Sequence, residues 1–111
     1  MRIATATLLA IASALPAASE ASAAGNAEVG RERATACIVC HGRDGIGTNP
    51  MVPNIAGQSE QYLVKQLREF RAGQREDPQM TIITRDLSDA DIADLAAWYA
   101  SIEFTVVVPG D

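Results

Sequence analysis

Cys37-Ile38-Val39-Cys40-His41 contains both cysteines and the one histidine of a 111-residue chain. Three chemistries use a Cys-x-x-Cys spacing. A redox dithiol expects a βαβ context, and no strand-rich pattern precedes Cys37. A structural zinc site takes four ligands, commonly two further Cys or His, and this chain has no other residue of either kind. Covalent haem attachment requires His directly after the second Cys, and His41 stands there. The motif therefore points to one haem c with its iron. Each thiol adds across a vinyl group to give a thioether. The x-x spacing on a helical turn brings Cys37 and Cys40 to one edge of the ring, and His41 then lies under the iron as an axial ligand. No internal repeat offers a second site.

Toward the N-terminus, Arg2, the mostly apolar run Ile3–Leu15, Pro16 and the small residues Ala21-Ser22-Ala23-Ala24 have the form of a secretory signal peptide. Cleavage could follow Ala18, Ala23 or Ala24. The apolar run is shorter than the roughly 20 residues a membrane span needs. Residues 1–24 are thus expected to be a signal peptide and residues 25–111 one periplasmic domain with no transmembrane segment in the mature chain. Removing residues 1–24 leaves 87 residues, a length at which a core is marginal and a cofactor helps to complete it. A haem is a large, flat apolar body suited to that task. Export also agrees with haem attachment, which takes place outside the cytoplasm in bacteria that make such proteins.

The chain carries 9 basic and 14 acidic side chains, a net charge of −5, and losing Arg2 and Glu20 leaves that difference unchanged. Nucleic acid leaves a basic footprint, so it is not an expected partner.

Hydrophobic periodicity predicts three helices. The first, about Glu28 to Cys37, places the small residues Gly30 and Ala34 with Cys37 on its inward face. Glycines and prolines from Gly42 to Gly57 mark a loop. The second helix, about Ser59 to Ala72, has Ser59 as its cap and Gly73 as its stop. Leu63, Leu67 and Phe70 form its apolar stripe, and Lys65, Arg68 and Arg71 a basic one. Residues 74–87 read as irregular, with Asp77-Pro78 as a breaker. In the third helix Ser88 is the N-cap, Asp91 completes a capping box, and Ile92, Leu95, Tyr99 and Ile102 face inward with Trp98 at the edge. The tail 103–111 is apolar and β-branched, able to fold back on the body or meet a partner.

The second axial position decides what a haem does: a closed iron transfers electrons, an open one binds small ligands. A second histidine is excluded. Lys65 could ligate, though lysine rarely does; among methionines, with Met1 in the leader, Met51 and Met80 remain, and chain reach does not separate them, since ten extended residues span up to about 33 Å. A ligating histidine usually donates its other ring N–H to a fixed acceptor; the Pro53 carbonyl, in the loop after His41, is the candidate.

Several segments taken together resemble the bacterial class I cytochromes c, in particular the small monohaem periplasmic carriers and single halves of their dihaem relatives. These are Cys37–Gly42, Asn49-Pro-Met-Val-Pro-Asn-Ile-Ala-Gly-Gln58, Tyr62-Leu63, Gln66-Leu67, Phe70, Met80, and Leu87-Ser-Asp-Ala-Asp-Ile-Ala-Asp-Leu-Ala-Ala-Trp-Tyr99. They cover most of residues 30–102 in the family's order. The resemblance implies an all-α fold, three main helices plus loops wrapped around one covalently attached haem. It implies a helix crossing at Gly30, a carbonyl of Pro53 holding His41, and Met80 as the distal ligand. Two departures stand out. Ala34 occupies a place usually aromatic, with Trp98 as the residue expected to fill the volume, and Ile82-Ile83 with Asp86 replace a second Met and smaller residues.

The function expected is that of a periplasmic single-electron carrier with one His/Met-ligated haem, a monomer and not an enzyme, exchanging electrons with redox partner proteins of unknown identity. The alternative is a haem c subunit of a larger periplasmic oxidoreductase, for which the apolar tail is the motivating feature. A five-coordinate sensor or peroxidase would require that Met80 not bind.

Overall fold

Asn26 opens the first helix: its side-chain oxygen accepts the backbone N–H groups of Glu28 and Val29 at 3.0 and 3.1 Å, satisfying donors that a helix start leaves unpaired. The structure, a computed structural model, describes residues 24–110; the signal-peptide reading falls almost wholly on residues outside these. Among the described residues there are five helices and no strand: α1 (Ala27–Arg33), α2 (Thr35–His41), α3 (Glu60–Ala72), α4 (Met80–Thr84) and α5 (Asp89–Ser101).

The single helix expected over residues 28–37 is two. Ala34 ends α1 and starts α2 with φ −70° and ψ 3°. The turn is tightened by i→i−3 bonds, Ala34 N–H to Arg31 O at 3.4 Å and Cys37 N–H to Ala34 O at 2.8 Å. The bend separates two tasks, because α1 packs on α5 while α2 carries the Cys-x-x-Cys-His motif. Gly30 and Ala34 are buried as expected, and Cys37 is half-buried. A Cβ on Gly30 would lie 1.9 Å from the Asp94 carbonyl oxygen and 2.9 Å from Trp98 Cβ, so the crossing requires glycine. Arg33 pairs with Asp91 at 2.5 Å, the Asn26 N–H donates to Asp94 Oδ1 at 2.8 Å, and the Arg31 guanidinium lies 5.6 Å from the centre of the Trp98 ring. Trp98 packs against the cluster that contains Ala34, consistent with its expected filling role.

The Ser59 cap and the Gly73 stop of α3 match the sequence reading. Ser59 Oγ accepts the Tyr62 N–H at 3.3 Å, and Gly73, at φ +73°, takes the left-handed conformation that glycine adopts freely. α5 has the expected capping box: Asp91 N–H donates to Ser88 Oγ at 3.0 Å and Ser88 N–H to Asp91 Oδ2 at 2.9 Å. Ile92, Leu95 and Tyr99 are buried, and so are Ala96 and Ala97, because α5 meets both α1 and α3 and buries more than one stripe. Ile102 lies just past the helix end and is only partly buried. The basic stripe of α3 is largely engaged within the fold. Arg71 donates to the Leu87 carbonyl at 2.8 Å and to Asp89 at 2.6 Å, fastening the entry to α5, and Lys65 pairs with Glu69 at 2.6 Å.

Residues 74–87 are not wholly irregular, since α4 occupies Met80–Thr84. Five residues show no readable periodicity and form no stable helix alone; side chains close this one, as described below. After α5 the chain runs extended. The Phe104 ring sits over Gly57, where a Cβ would meet it at 2.5 Å, and Val106, Val107 and Val108 are exposed.

Candidate haem site

α2, the loop after it, α3 and α4 enclose a cleft of about 350 Å³, within the range of about 300–1,000 Å³ typical of small-molecule and cofactor sites. Cys37, Cys40, His41, Pro53 and Met80 all line it. Neither cysteine is in a disulfide, and both are half-buried on α2. His41 is 8% exposed, and its Nδ1 lies 2.9 Å from the Pro53 carbonyl oxygen. A carbonyl only accepts, so the proton of that bond belongs to Nδ1, and Nε2 keeps the lone pair that a metal requires. The loop between them is braced at both ends: Thr48 N–H donates to Cys40 O at 2.9 Å, Gly47 N–H to Asn54 Oδ1 at 2.7 Å, and Ile55 N–H to Gly45 O at 2.8 Å. Pro53 O is thereby set beneath the ring.

The two methionines left open by chain length differ in placement. Met51 borders the cleft but is 90% exposed. Met80 is half-buried at the start of α4. Asp77 Oδ1 accepts the backbone N–H groups of Gln79 and Met80, both at 2.9 Å, and these bonds hold its carboxyl below the usual carboxylate range. The Asp77 N–H donates to Thr81 Oγ1 at 3.1 Å, and the buried Thr84 hydroxyl donates to the Met80 carbonyl at 2.8 Å. The sequence reads Asp77-Pro78 as a breaker; an Asp side chain that accepts backbone N–H groups two and three residues on closes a local turn, which is the signal in the sequence that this segment is ordered.

Behind Cys37 stands Tyr99. Its buried hydroxyl has no hydrogen-bond partner, and the Cys37 sulfur is the polar group near it. Burial pushes the phenol's ionisation up, and the adjacent thiol adds to that. Burial likewise pushes the Cys37 thiol up, with the nearby Tyr99 hydroxyl working against it. A thioether at Cys37 suits this pocket better than a thiol that can ionise, because it cannot become charged and keeps a weak acceptor for the Tyr99 O–H. Among the described residues no group of three or more His, Cys, Asp and Glu could hold a bare metal ion. Two thiols on one helical turn, a tautomerically fixed imidazole and a thioether in one apolar cleft fit a haem.

Residues 27–103 match the family model described as Cytochrome c. The chain is 45% identical over 83 residues to cytochrome c-554(548) of Halomonas halodenitrificans, covering 72% of this chain and 100% of that protein. It is 44% identical over 86 residues to cytochrome c4 of Pseudomonas aeruginosa, covering 78% of this chain and 43% of that one. The crystal structure of reduced recombinant cytochrome c4 from Pseudomonas stutzeri superposes with a TM-score of 0.70 at 39% identity, over 75% of this chain and 48% of that one. The chain thus spans about half the length of the cytochrome c4 proteins it matches.

Proposed function

Because the chain belongs to the cytochrome c family, whose members bind haem c covalently, we propose that it is a single-electron carrier of the periplasm with its iron closed between His41 and Met80. The haem, when bound, supplies an iron that alternates between the ferric and ferrous states. Cys37 and Cys40 hold it through sulfur. His41 presents Nε2, kept neutral and correctly turned by the Nδ1–Pro53 bond, a contact of the kind that orients ligating histidines. Met80 offers a thioether from a segment that Asp77 and Thr84 tie down, and His/Met ligation raises the potential. The observation that carries the reading is the convergence of Cys37, Cys40, His41 and Met80 on one cleft while Met51 faces solvent. No bond-making group is needed beside the iron, so the reading is of a carrier and not an enzyme, exchanging electrons with redox partner proteins. Export rests on the leader-like residues 1–24, and no described helix is long and apolar enough to cross a membrane.

Two measurements test this. Cell fractionation should place the haem-stained protein in the periplasm. The reduced protein should keep its spectrum under carbon monoxide, because both axial positions are filled; a prompt carbon monoxide adduct would overturn the closed-iron reading. The exposed Val106–Val108 run favours a second reading, a haem subunit of a larger oxidoreductase. Native size-exclusion of the periplasmic extract separates the two, since a free carrier elutes at its own mass.

A further inference from the structure

Tyr99 is 3% exposed, and its buried hydroxyl has no hydrogen-bond partner. A buried O–H left unpaired costs free energy that an acceptor would recover. The ring belongs to the cluster of Ala34, Leu63, Leu95 and Ala96, whose side chains carry no polar atom. Among the described side chains packed on that cluster, Cys37 and Trp98 carry the heteroatoms. An indole N–H donates and does not accept, whereas sulfur is a weak acceptor. For a phenol donor the Cys37 sulfur is therefore the side-chain acceptor at hand, and it is the polar group near the hydroxyl.

Cys37 has a second face. It lines the cleft with Cys40, His41 and Met80, whereas Tyr99 is not among the lining residues. Tyr99 thus stands behind the tether, outside the cleft. When the Cys37 thiol adds across a haem vinyl group, its sulfur bonds one vinyl carbon and its hydrogen goes to the other. Nothing is released and no oxidant is used. The sulfur then has no hydrogen to donate and keeps its lone pairs, which sets the direction of any bond to the phenol. We propose that Tyr99 is a positioning residue whose hydroxyl donates to the Cys37 thioether sulfur from behind, holding that side of the haem against α5. This rests on haem attachment at Cys37 and deepens that reading, because it makes the two tethers unlike. Cys37 is anchored to the core through Tyr99, whereas Cys40 lies outside the cluster. The O–H dipole turns its positive end to the sulfur and draws electron density from a substituent of the ring, which favours the ferrous form; hydrogen bonds around a haem are among the levers on its potential.

The test compares the holoprotein with Tyr99→Phe, which keeps the ring and deletes the hydroxyl. Tyr99→Phe should lower the folding equilibrium constant about fivefold and shift the carbon–sulfur stretching band of the thioether in the resonance Raman spectrum. It should also move the redox equilibrium about twofold toward the ferric form, with the methionine-to-iron band in the far red retained. A double-mutant cycle with Cys37→Ala, whose haem is tethered through Cys40, identifies the partner: the stability effect of Tyr99→Phe should vanish in that background. A Tyr99→Phe protein at least as stable as wild type overturns the proposal, because deleting an unpaired buried hydroxyl relieves a cost. A loss of stability that persists undiminished in Cys37→Ala also overturns it, since the hydroxyl would then have another partner. If Cys37→Ala does not take up haem, the Raman spectrum decides: an unchanged carbon–sulfur band in Tyr99→Phe overturns the proposal and a shifted one upholds it. A wild-type protein lacking a c-type spectrum would instead remove the haem assignment itself, a distinguishable result.

Discussion

The α1–α5 crossing and the Asp77–Thr84 segment are held by different kinds of contact. The crossing joins residues about 60 positions apart in the chain through backbone approach at Gly30, the apolar contacts of Ala34 and Leu95, and the Arg33–Asp91 pair. The segment bearing Met80 is closed largely by its own neighbours: Asp77 to Gln79 and Met80, Thr81 to Asp77, Thr84 to Met80. Long-range packing sets global stability, whereas short-range bonds set the direction of one side chain and open at lower cost. The comparison predicts separable phenotypes, stability from the crossing and ligation from the segment.

The largest effect should come from Gly30→Val. Overpacking typically costs about 1–3 kcal/mol, and here the obstruction is the Asp94 backbone, so a loss of about 3 kcal/mol is expected in denaturant unfolding of the holoprotein. The molecules still folded should show an unaltered spectrum; a spectral change would break the separation. Thr84→Val keeps the shape of a fully buried residue but deletes the hydrogen bond to Met80 O, with an expected cost of about 1 kcal/mol and a weakened far-red band. Asp77→Ala should leave unfolding nearly unchanged while the far-red band weakens and exogenous cyanide displaces the sixth ligand faster. An Asp77→Ala protein with unchanged ligand exchange would show that the local bonds do not hold Met80.

The smallest effect concerns acid. The Asp91 carboxyl lies below its ordinary range, chiefly because it accepts the Ser88 backbone N–H. A group depressed in the folded state contributes stability that is complete above its unfolded pKa, about 3.9, and is lost as pH falls through the lower folded value. Asp91→Asn should therefore flatten the fall in stability below about pH 4 without altering the spectrum. An undiminished acid slope in that variant would remove Asp91 from the account.

Much of the scaffold is legible in the sequence, because its signals are local and repeated. Ser59 with Gly73, and Ser88 with Asp91, mark the ends of α3 and α5, and the small Gly30 marks the crossing. The cleft is legible in part. Cys37, Cys40 and His41 are contiguous, and Pro53 follows in the first loop able to reach His41. The break at Ala34 is not legible, since both sides of it carry helix-compatible residues and the bend is imposed by what each half packs against. α4 is too short to show a period. Met80 differs from Met51 only through the resemblance or through burial.

Closure of the iron by Met80 is the central claim, and the far-red absorbance of the oxidised holoprotein tests it most directly when wild type, Met51→Leu and Met80→Ala are compared. The methionine-to-iron band should be present in wild type and in Met51→Leu and absent from Met80→Ala, whose reduced form should then bind carbon monoxide. A band that survives in Met80→Ala and disappears in Met51→Leu would contradict it.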